Sequence, residues 1–167
     1  MDEQKIETRY RVVDSLRTVP GLTERLARGI HVVDVGCGAG ASTVAMATAF
    51  PRSRFLGIEA DAVSVQAARG LAAEHRLRNV YWLAVPVHQL APLPTYDLIC
   101  AFDGVEDMID PRAALQAIHA ALADDGVYLW SALGERGVRE LAEEAGFPRV
   151  DLLPVDGAFN HLFALRR

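Results

Sequence analysis

A glycine-rich loop over residues 32–40 holds the residue types best suited to binding a ligand. The segment reads VVDVGCGAG, in which Gly36, Gly38 and Gly40 follow an apolar run. Glycines in such a loop allow the backbone to turn tightly and to approach a ligand closely. The spacing also fits the loop of dinucleotide-binding proteins, with Glu59, nineteen residues after Gly40, as the acid that binds a ribose. The loop alone is therefore a weak signal that fits more than one ribose-containing ligand.

Two carboxylates beside the loop indicate which of these ribose-containing ligands it binds. Asp34 lies two residues before the first glycine, where it would repel a pyrophosphate but favour the ammonium and sulfonium charges of S-adenosylmethionine. Glu59 ends a predicted strand, so its carboxylate can accept hydrogen bonds from both hydroxyls of a ribose. Each acid also has a structural interpretation, because Asp34 could satisfy loop amides and Glu59 could be a solvated strand end. We predict that both acids bind S-adenosylmethionine.

The elements that must position these residues alternate along the chain. Strands are predicted at 31–35, 54–59, 79–84, 96–102 and 126–132, and helices at 41–50, 62–75, 111–122 and 136–145. This alternation predicts a parallel sheet, because parallel neighbours need a crossover connection. The strands predicted at 149–153 and 159–165 are separated by only five residues, which predicts an antiparallel hairpin. We expect an α/β fold with a doubly wound, mostly parallel sheet of seven strands and helices on both faces.

Several stretches of the chain resemble class I S-adenosylmethionine-dependent methyltransferases. VVDVGCGAGAST at 32–43 is similar to the first motif of that family, and FLGIEAD at 55–61 is similar to the second. YDLICAFDGVEDMIDPRAAL at 96–115, followed by LADDGVYLW at 122–130, is similar to the region after the fourth strand in the small-molecule branch. EEAGFPRVDLLPVDGAFNHLFALRR at 143–167 resembles the closing hairpin. The resemblance implies a Rossmann-like fold and covers nearly everything from residue 30 onward.

The resemblance also implies roles for individual residues. In this family the glycine loop holds the methionine end of the cofactor, and the acid after the second strand holds the ribose. The cofactor-binding residues implied in this way are Asp34, Gly36, Cys37, Gly38, Gly40, Glu59, Ala60, Pro86, Val87 and Phe102. Asp103 and Glu106, which follow the fourth strand, are the candidate catalytic residues, either of them as a base. S-adenosylhomocysteine is the expected product.

The adenine contact is one place where the sequence departs from the family. An acid that accepts a hydrogen bond from the adenine amino group usually follows the third strand. Pro86 lies at or near that position, and proline has neither an N–H nor a side-chain acceptor. The contact is lost unless His88 or Gln89 replaces it. One lost buried hydrogen bond costs on the order of 1 kcal/mol, roughly a factor of ten in affinity.

Two further departures concern the acceptor site. Glu106 lies where related enzymes tend to have a histidine, and it is a weaker base unless burial raises its pKa. No long insertion follows the fifth strand, so the helical segment predicted at 1–30 is left to form a lid over a cofactor-binding domain at 31–167. The resemblance therefore identifies a shortened form that keeps only the core. The expected acceptor pocket is shallow or is completed by a second subunit in a homodimer.

Composition and charge argue against several other functions. The chain has 167 residues and a net charge of −5, and its basic residues are scattered, unlike the concentrated basic surface of a nucleic-acid-binding protein. No apolar run approaches the ~20 residues that cross a bilayer, and no signal-type segment follows the N-terminus, so we expect a cytoplasmic protein with no membrane partner. Cys37, Cys100 and the histidines lack metal-ligand spacing, which predicts buried reduced thiols and no metal.

Together these observations predict an S-adenosylmethionine-dependent methyltransferase that acts on a small-molecule acceptor by in-line displacement at the sulfonium methyl group. The alternative is a catalytically degenerate or repurposed binding protein that keeps the fold, which Pro86, Glu106 and the absent insertion favour. A third hypothesis is a nicotinamide-dinucleotide oxidoreductase. Asp34 and the terminal hairpin argue against it.

Overall fold

The computed structural model describes residues 12–90, 96–102, 105, 108–132, 134–155 and 161–167. The strands among them are His31–Val35 (β1), Arg54–Glu59 (β2), Val80–Ala84 (β3), Tyr96–Phe102 (β4), Leu122–Ala132 (β5), Arg149–Leu153 (β6) and His161–Arg166 (β7). The helices are 12–17 (α1), Leu22–Arg28 (α2), Ala41–Ala49 (α3), Ala62–Glu74 (α4), Pro111–Ala121 (α5) and Glu135–Glu144 (α6). The predicted alternation of strands and helices is confirmed.

The seven strands form one sheet in the order β3-β2-β1-β4-β5-β7-β6. The pairs from β3 to β5 are parallel, whereas β7 is antiparallel to both β5 and β6. This topology confirms the predicted doubly wound sheet and its C-terminal hairpin. The strand order reverses direction between β1 and β4, and open α/β sheets bind ligands at the carboxyl ends of the strands beside such a switch point.

Helices cover both faces of the sheet, as predicted. On one face α5 and α6 bury Leu115, Ile118 and Val138 against Val33 and Ile99 of the sheet. On the other face α1, α2 and α3 bury Leu16, Leu26 and Met46 against Leu98 and Leu129. Helix α4 covers the β3 edge of that second face by packing Val65 and Ala68 on Trp82. The strands are therefore apolar on both sides, which explains their almost continuous hydrophobic runs.

The lid predicted at 1–30 stays a prediction. Residues 1–11 lie outside the described part of the chain. The described remainder, with α1 and α2, contributes buried side chains to the second face of the sheet. Gly29 ends α2 with a φ of 110°, as the sequence predicts for a glycine at this position.

Strand β5 begins earlier than the sequence predicts. The helical spacing places Leu122 on the buried face of α5, but Leu122 is the first residue of β5 and pairs with Tyr96. The next pair of the ladder is Leu98 with Val127, so the β5 strand carries extra residues in a bulge. The prediction of Leu122 as helical is therefore wrong, because a bulge depends on the partner strand rather than on local periodicity. Of the strand predicted at 159–165, residues 159 and 160 lie outside the described part.

The prediction that Asn79 begins β3 is wrong, because the strand begins at Val80. The Asn79 side chain instead bonds to segments at the start of the sheet. Its amide nitrogen Nδ2 donates to the carbonyl oxygens of Ala47 at 3.0 Å and Ser53 at 3.1 Å. The fully buried Ser53 hydroxyl donates to the carbonyl of Leu26 at 2.7 Å and accepts from the amide of Ile30 at 3.0 Å. These bonds hold α2, α3 and the first residues of β1 and β2 together.

Replacing Asn79 with alanine should lower the free energy of unfolding by about 1–3 kcal/mol, because the carbonyl groups of Ala47, Phe50 and Ser53 lose their side-chain donor. Urea denaturation measures the loss. The matched control is Arg78→Ala at the exposed neighbouring position, for which we expect a change within about 0.5 kcal/mol. Equal losses in the two variants would show that the Asn79 side chain does not hold these elements together.

Candidate active site

A cleft of about 540 Å³ opens at the carboxyl ends of β1, β2 and β3, a volume in the range of small-molecule sites. Its lining includes five residues predicted to bind the cofactor, namely Gly36, Glu59, Ala60, Pro86 and Val87. The structure therefore brings together residues that are as far apart in the sequence as Gly36 and Val87.

Six other residues line the cleft and lie outside the predicted cofactor-binding set: Ile58, Val85, His88, Met108, Ile109 and Asp110. Among them, His88 is the residue named above as a possible replacement for the adenine acceptor. Met108 and Ile109 form an apolar pair between acidic residues, and this pair is the one signal that could have indicated a ligand-facing loop. Asp110 caps α5 by accepting a hydrogen bond from the Ala113 amide at 2.9 Å. Both candidate catalytic residues, Asp103 and Glu106, lie outside the described residues.

The three glycines of the loop differ in what surrounds them. All adopt left-handed backbone conformations, with φ of 67° at Gly36, 50° at Gly38 and 84° at Gly40. A Cβ atom at Gly38 would meet nothing within 4 Å, whereas one at Gly40 would lie 2.5 Å from the Trp82 ring and 2.8 Å from the Ala68 Cβ. Gly38 therefore leaves open space beside the backbone, and a Cβ at Gly36 would meet only the Met108 methyl group, at 3.8 Å. Gly40 makes room for the packing of Trp82 behind the loop.

Glu59 connects the loop to the end of β2. Its Oε2 accepts a hydrogen bond from the Gly38 amide at 3.0 Å, and its Oε1 accepts one from the Asp61 amide at 3.1 Å. The half-buried side chain lines the cleft. Asp61 then caps α4 by accepting hydrogen bonds from the amides of Val63 and Ser64. One carboxylate thus holds the glycine loop, β2 and the start of α4 in one arrangement.

Asp34 lies behind the loop and is only 1% exposed. Its Oδ2 accepts hydrogen bonds from the hydroxyls of Ser42 and Thr43 on α3, both at 2.6 Å. Its Oδ1 is buried and makes no hydrogen bond with any residue that the structure describes. Burial raises the pKa of the Asp34 carboxyl to about 6, although the two hydroxyl groups oppose the shift. The carboxylate is thus bound through one oxygen by hydroxyls of α3, and its other oxygen is buried without a hydrogen-bond partner among the described residues.

Cys37 and Phe102 face away from the cleft. Cys37 is buried with Val65 and Trp82 under α4, so any contact of Cys37 with a ligand must come from its backbone. Burial, reinforced by the nearby Asp34 and Glu59 carboxylates, raises the pKa of its thiol to about 12. This agrees with the predicted buried, reduced thiol. The Phe102 side chain packs on the face of the sheet that α1–α3 cover.

Comparison with known proteins places these features in a family. The model of the methyltransferase domain matches residues 33–128. A trans-aconitate 2-methyltransferase of Paracidovorax citrulli is 34% identical over 125 residues, which are 71% of this chain and 46% of that protein. The ribosomal RNA small subunit methyltransferase G of Chlorobium luteolum is 31% identical over 137 residues, which are 77% of this chain and 55% of that protein.

A solved structure with the same fold is magnesium protoporphyrin IX methyltransferase from Synechocystis with bound S-adenosylmethionine. Its TM-score is 0.70 at 18% identity, and the match covers 98% of this chain and 80% of that one. The chain spans about half the length of the two curated relatives. None of the helices in the described part of the chain is both long and apolar enough to cross a membrane.

Gly40→Ala and Gly38→Ala form a matched pair, because both place a Cβ at a positive φ. Each should lose about 1–2 kcal/mol of stability for that backbone conformation. Gly40→Ala should lose at least about 2 kcal/mol more, since Trp82 and Ala68 must move. Thermal or urea denaturation measures the difference. Equal stabilities would mean that Trp82 does not determine the shape of the loop.

Asp34 makes stability depend on pH. Its folded pKa of about 6 lies above the ordinary value of 3.8, so between these values the folded protein keeps a proton that the unfolded chain has lost. The contribution of Asp34 to stability therefore falls as the pH rises through this window. From pH 5 to pH 7 the protein should lose on the order of 1 kcal/mol relative to Asp34→Asn, measured by urea denaturation. A constant difference between the two proteins would contradict this, and Asp124→Asn, at an exposed aspartate, is the control.

Proposed function

Because the chain belongs to the methyltransferase-domain family, whose cofactor is S-adenosylmethionine, we propose that it binds this cofactor in the cleft and transfers the methyl group to a small-molecule acceptor. The observation that carries the proposal is the position of Glu59. Its carboxylate ends β2, lines the cleft and accepts hydrogen bonds from the Gly38 amide of the glycine loop and from the Asp61 amide.

The donor set of the cleft fits a nucleoside. A carboxylate has about four acceptor positions, and Glu59 uses one on each oxygen for the backbone amides of Gly38 and Asp61. The remaining positions can accept both ribose hydroxyls. Gly36 lines the cleft and Gly38 leaves open space beside the loop, where the methionine end of the cofactor can lie. Apolar groups from Ile58, Ala60 and the β3 end complete the wall and suit a purine ring.

Asp34 supports a sulfonium cofactor over a dinucleotide. Its buried Oδ1 makes no hydrogen bond with the described residues, and a buried carboxylate oxygen without a hydrogen-bond donor is costly. A ligand that brings positive charge to the loop lowers this cost, whereas a pyrophosphate at the same loop raises it. The same argument, together with the antiparallel hairpin of β6 and β7, counts against a nicotinamide-dinucleotide oxidoreductase.

The residues of this chain contribute positioning rather than covalent chemistry. S-adenosylmethionine, when bound, supplies an electrophilic methyl group on a sulfonium. Glu59 and the glycine loop hold the cofactor in one orientation, and such orientation supplies much of the rate in a displacement reaction. Apolar lining residues such as Met108 exclude water from the cleft. Asp103 and Glu106 are the proposed bases for an acceptor that must lose a proton.

A small molecule is the proposed acceptor. The relatives differ on this point, since one acts on trans-aconitate and another on ribosomal RNA. The net charge of −5 disfavours RNA, because RNA-binding proteins neutralise phosphates with clustered basic residues. The second candidate function is a binding protein that keeps the cofactor site without catalysis. Pro86, which lines the cleft where the adenine acceptor is expected, favours this alternative.

Calorimetric titration with S-adenosylhomocysteine tests the binding site. The unchanged protein should bind in the micromolar range, and Glu59→Gln should weaken binding by about tenfold or more, since hydrogen bonds to a charged group contribute about 1.5–3 kcal/mol. Glu74→Gln, at an exposed position near the end of α4, should bind like the unchanged protein.

A 2′-deoxy analogue of the ligand separates a direct contact from a disturbed loop. If Glu59 binds the ribose, the analogue should bind the unchanged protein more weakly but lose little more in Glu59→Gln. Additive losses, or no binding of S-adenosylhomocysteine to the unchanged protein, would contradict the proposed site. With a methyl-labelled cofactor, label in a small-molecule pool supports the proposed acceptor and label in ribosomal RNA refutes it. Binding without transfer to either supports the second candidate.

A further inference from the structure

The wall of the cleft at the end of β3 has an unusual set of hydrogen-bonding groups. It consists of Val85, Pro86, Val87 and His88. The first three side chains have no hydrogen-bonding atom, so His88 carries the one polar side chain of this wall. The imidazole is exposed, and when neutral it has one nitrogen that can accept a hydrogen bond.

The backbone of the same segment has two carbonyls that are bonded within a turn and two amides that are open to a ligand. Residues Val87–Gln89 form a single 3₁₀ turn, in which the Pro86 carbonyl accepts from the Gln89 amide at 3.0 Å and the Val87 carbonyl accepts from the Leu90 amide at 2.9 Å. These two carbonyls are therefore engaged within the turn. The amides of Val87 and His88, at the head of the turn, donate to none of the residues that the structure describes.

The order of the strands indicates which part of the ligand meets this wall. The glycine loop follows β1, Glu59 ends β2, and β3 is the next strand outward in the sheet. With the ribose at Glu59, as the proposed function has it, the base lies against the segment after β3. An adenine edge needs one acceptor for its amino group and one donor for its neighbouring ring nitrogen.

We infer that His88 reads the base: its neutral imidazole accepts the hydrogen bond of the adenine amino group, while an amide at the head of the 3₁₀ turn donates to the ring nitrogen. This inference rests on the proposed function. The inference assigns to an imidazole, in place of the family's carboxylate, the hydrogen bond that distinguishes adenine from a purine without the amino group.

Asp110 is the competing acceptor, because it also lines the cleft and carries a carboxylate. One of its oxygens is committed to the Ala113 amide as the cap of α5. Asp110→Asn keeps an oxygen for the cap and removes the charge, so it tests this competitor without removing the helix cap.

The experiment compares by calorimetry the affinities of S-adenosylhomocysteine and its 6-deamino analogue, in which purine replaces adenine. The purine base has a hydrogen in place of the amino group and keeps the neighbouring ring nitrogen as an acceptor. We expect the unchanged protein to prefer the adenosine ligand by about tenfold, the equivalent of one hydrogen bond. His88→Ala should weaken the adenosine ligand by about tenfold and leave the purine ligand unchanged, which removes the preference. His88→Asp, which restores an acceptor, should restore it.

Three results would overturn the inference. The preference could persist in His88→Ala, it could disappear in Asp110→Asn instead, or His88→Asp could fail to restore it while the variant stays folded. His75→Ala, at an exposed histidine beyond the end of α4, is the control and should change neither affinity. Failure of the proposed function gives a different result, in which S-adenosylhomocysteine does not bind the unchanged protein at all.

Discussion

The hydrogen bonds that Glu59 accepts from the amides of Gly38 and Asp61 join the parts of the chain that form the cleft. The backbone already bonds the loop to β2, because the amides of Gly36 and Cys37 donate to the Ile58 carbonyl at 2.8 and 3.2 Å. The Glu59 carboxylate adds the connection from the loop to the start of α4, at a contribution of about 1.5–3 kcal/mol for each hydrogen bond to the charged group. Binding and local folding therefore depend on the same side chain, and experiments at Glu59 must separate the two.

The packing behind the loop is as important as the open space in front of it. Gly40 and Gly57 both lie against Trp82, and a Cβ on either residue would overlap its ring. Trp82 in turn packs under α4 with Cys37. The loop is thus supported from behind by a buried ring, which leaves Gly36 and Gly38 as the positions where the backbone is open to a ligand. The glycines of one motif therefore meet two different requirements, namely close packing against Trp82 at Gly40 and access of a ligand to the backbone at Gly36 and Gly38.

Much of the fold could be predicted because the local signals agree with the tertiary structure. The Asp61 cap, the Gly29 stop and the short connection between the last strands are all local features. The start of β5 could not be predicted, because the bulge before Val127 depends on the register with β4. The face of Phe102 was equally hidden, since β4 is apolar on both sides and its pattern does not assign a direction to any side chain.

The parts of the candidate site that are formed by the backbone at strand ends could be predicted from the sequence. The contacts that its side chains make were harder to predict. The loop glycines and Glu59 follow from their positions at strand ends. The partners of Asp34 were predicted as loop amides in the structural interpretation, but they are the hydroxyls of Ser42 and Thr43, which only the start of α3 brings above the carboxylate. Met108 and Ile109 reach the cleft from a segment without regular structure, where no periodicity indicates which residues face a ligand.

A crystal structure of the protein with S-adenosylhomocysteine would test most directly whether the ligand binds in the cleft with its ribose at Glu59. We expect the ribose hydroxyls within hydrogen-bonding distance of the Glu59 carboxylate, the methionine end beside Gly36 and Gly38, and the base against the segment after β3. A ligand bound elsewhere on the chain, or a ribose that does not contact Glu59, would contradict this binding mode.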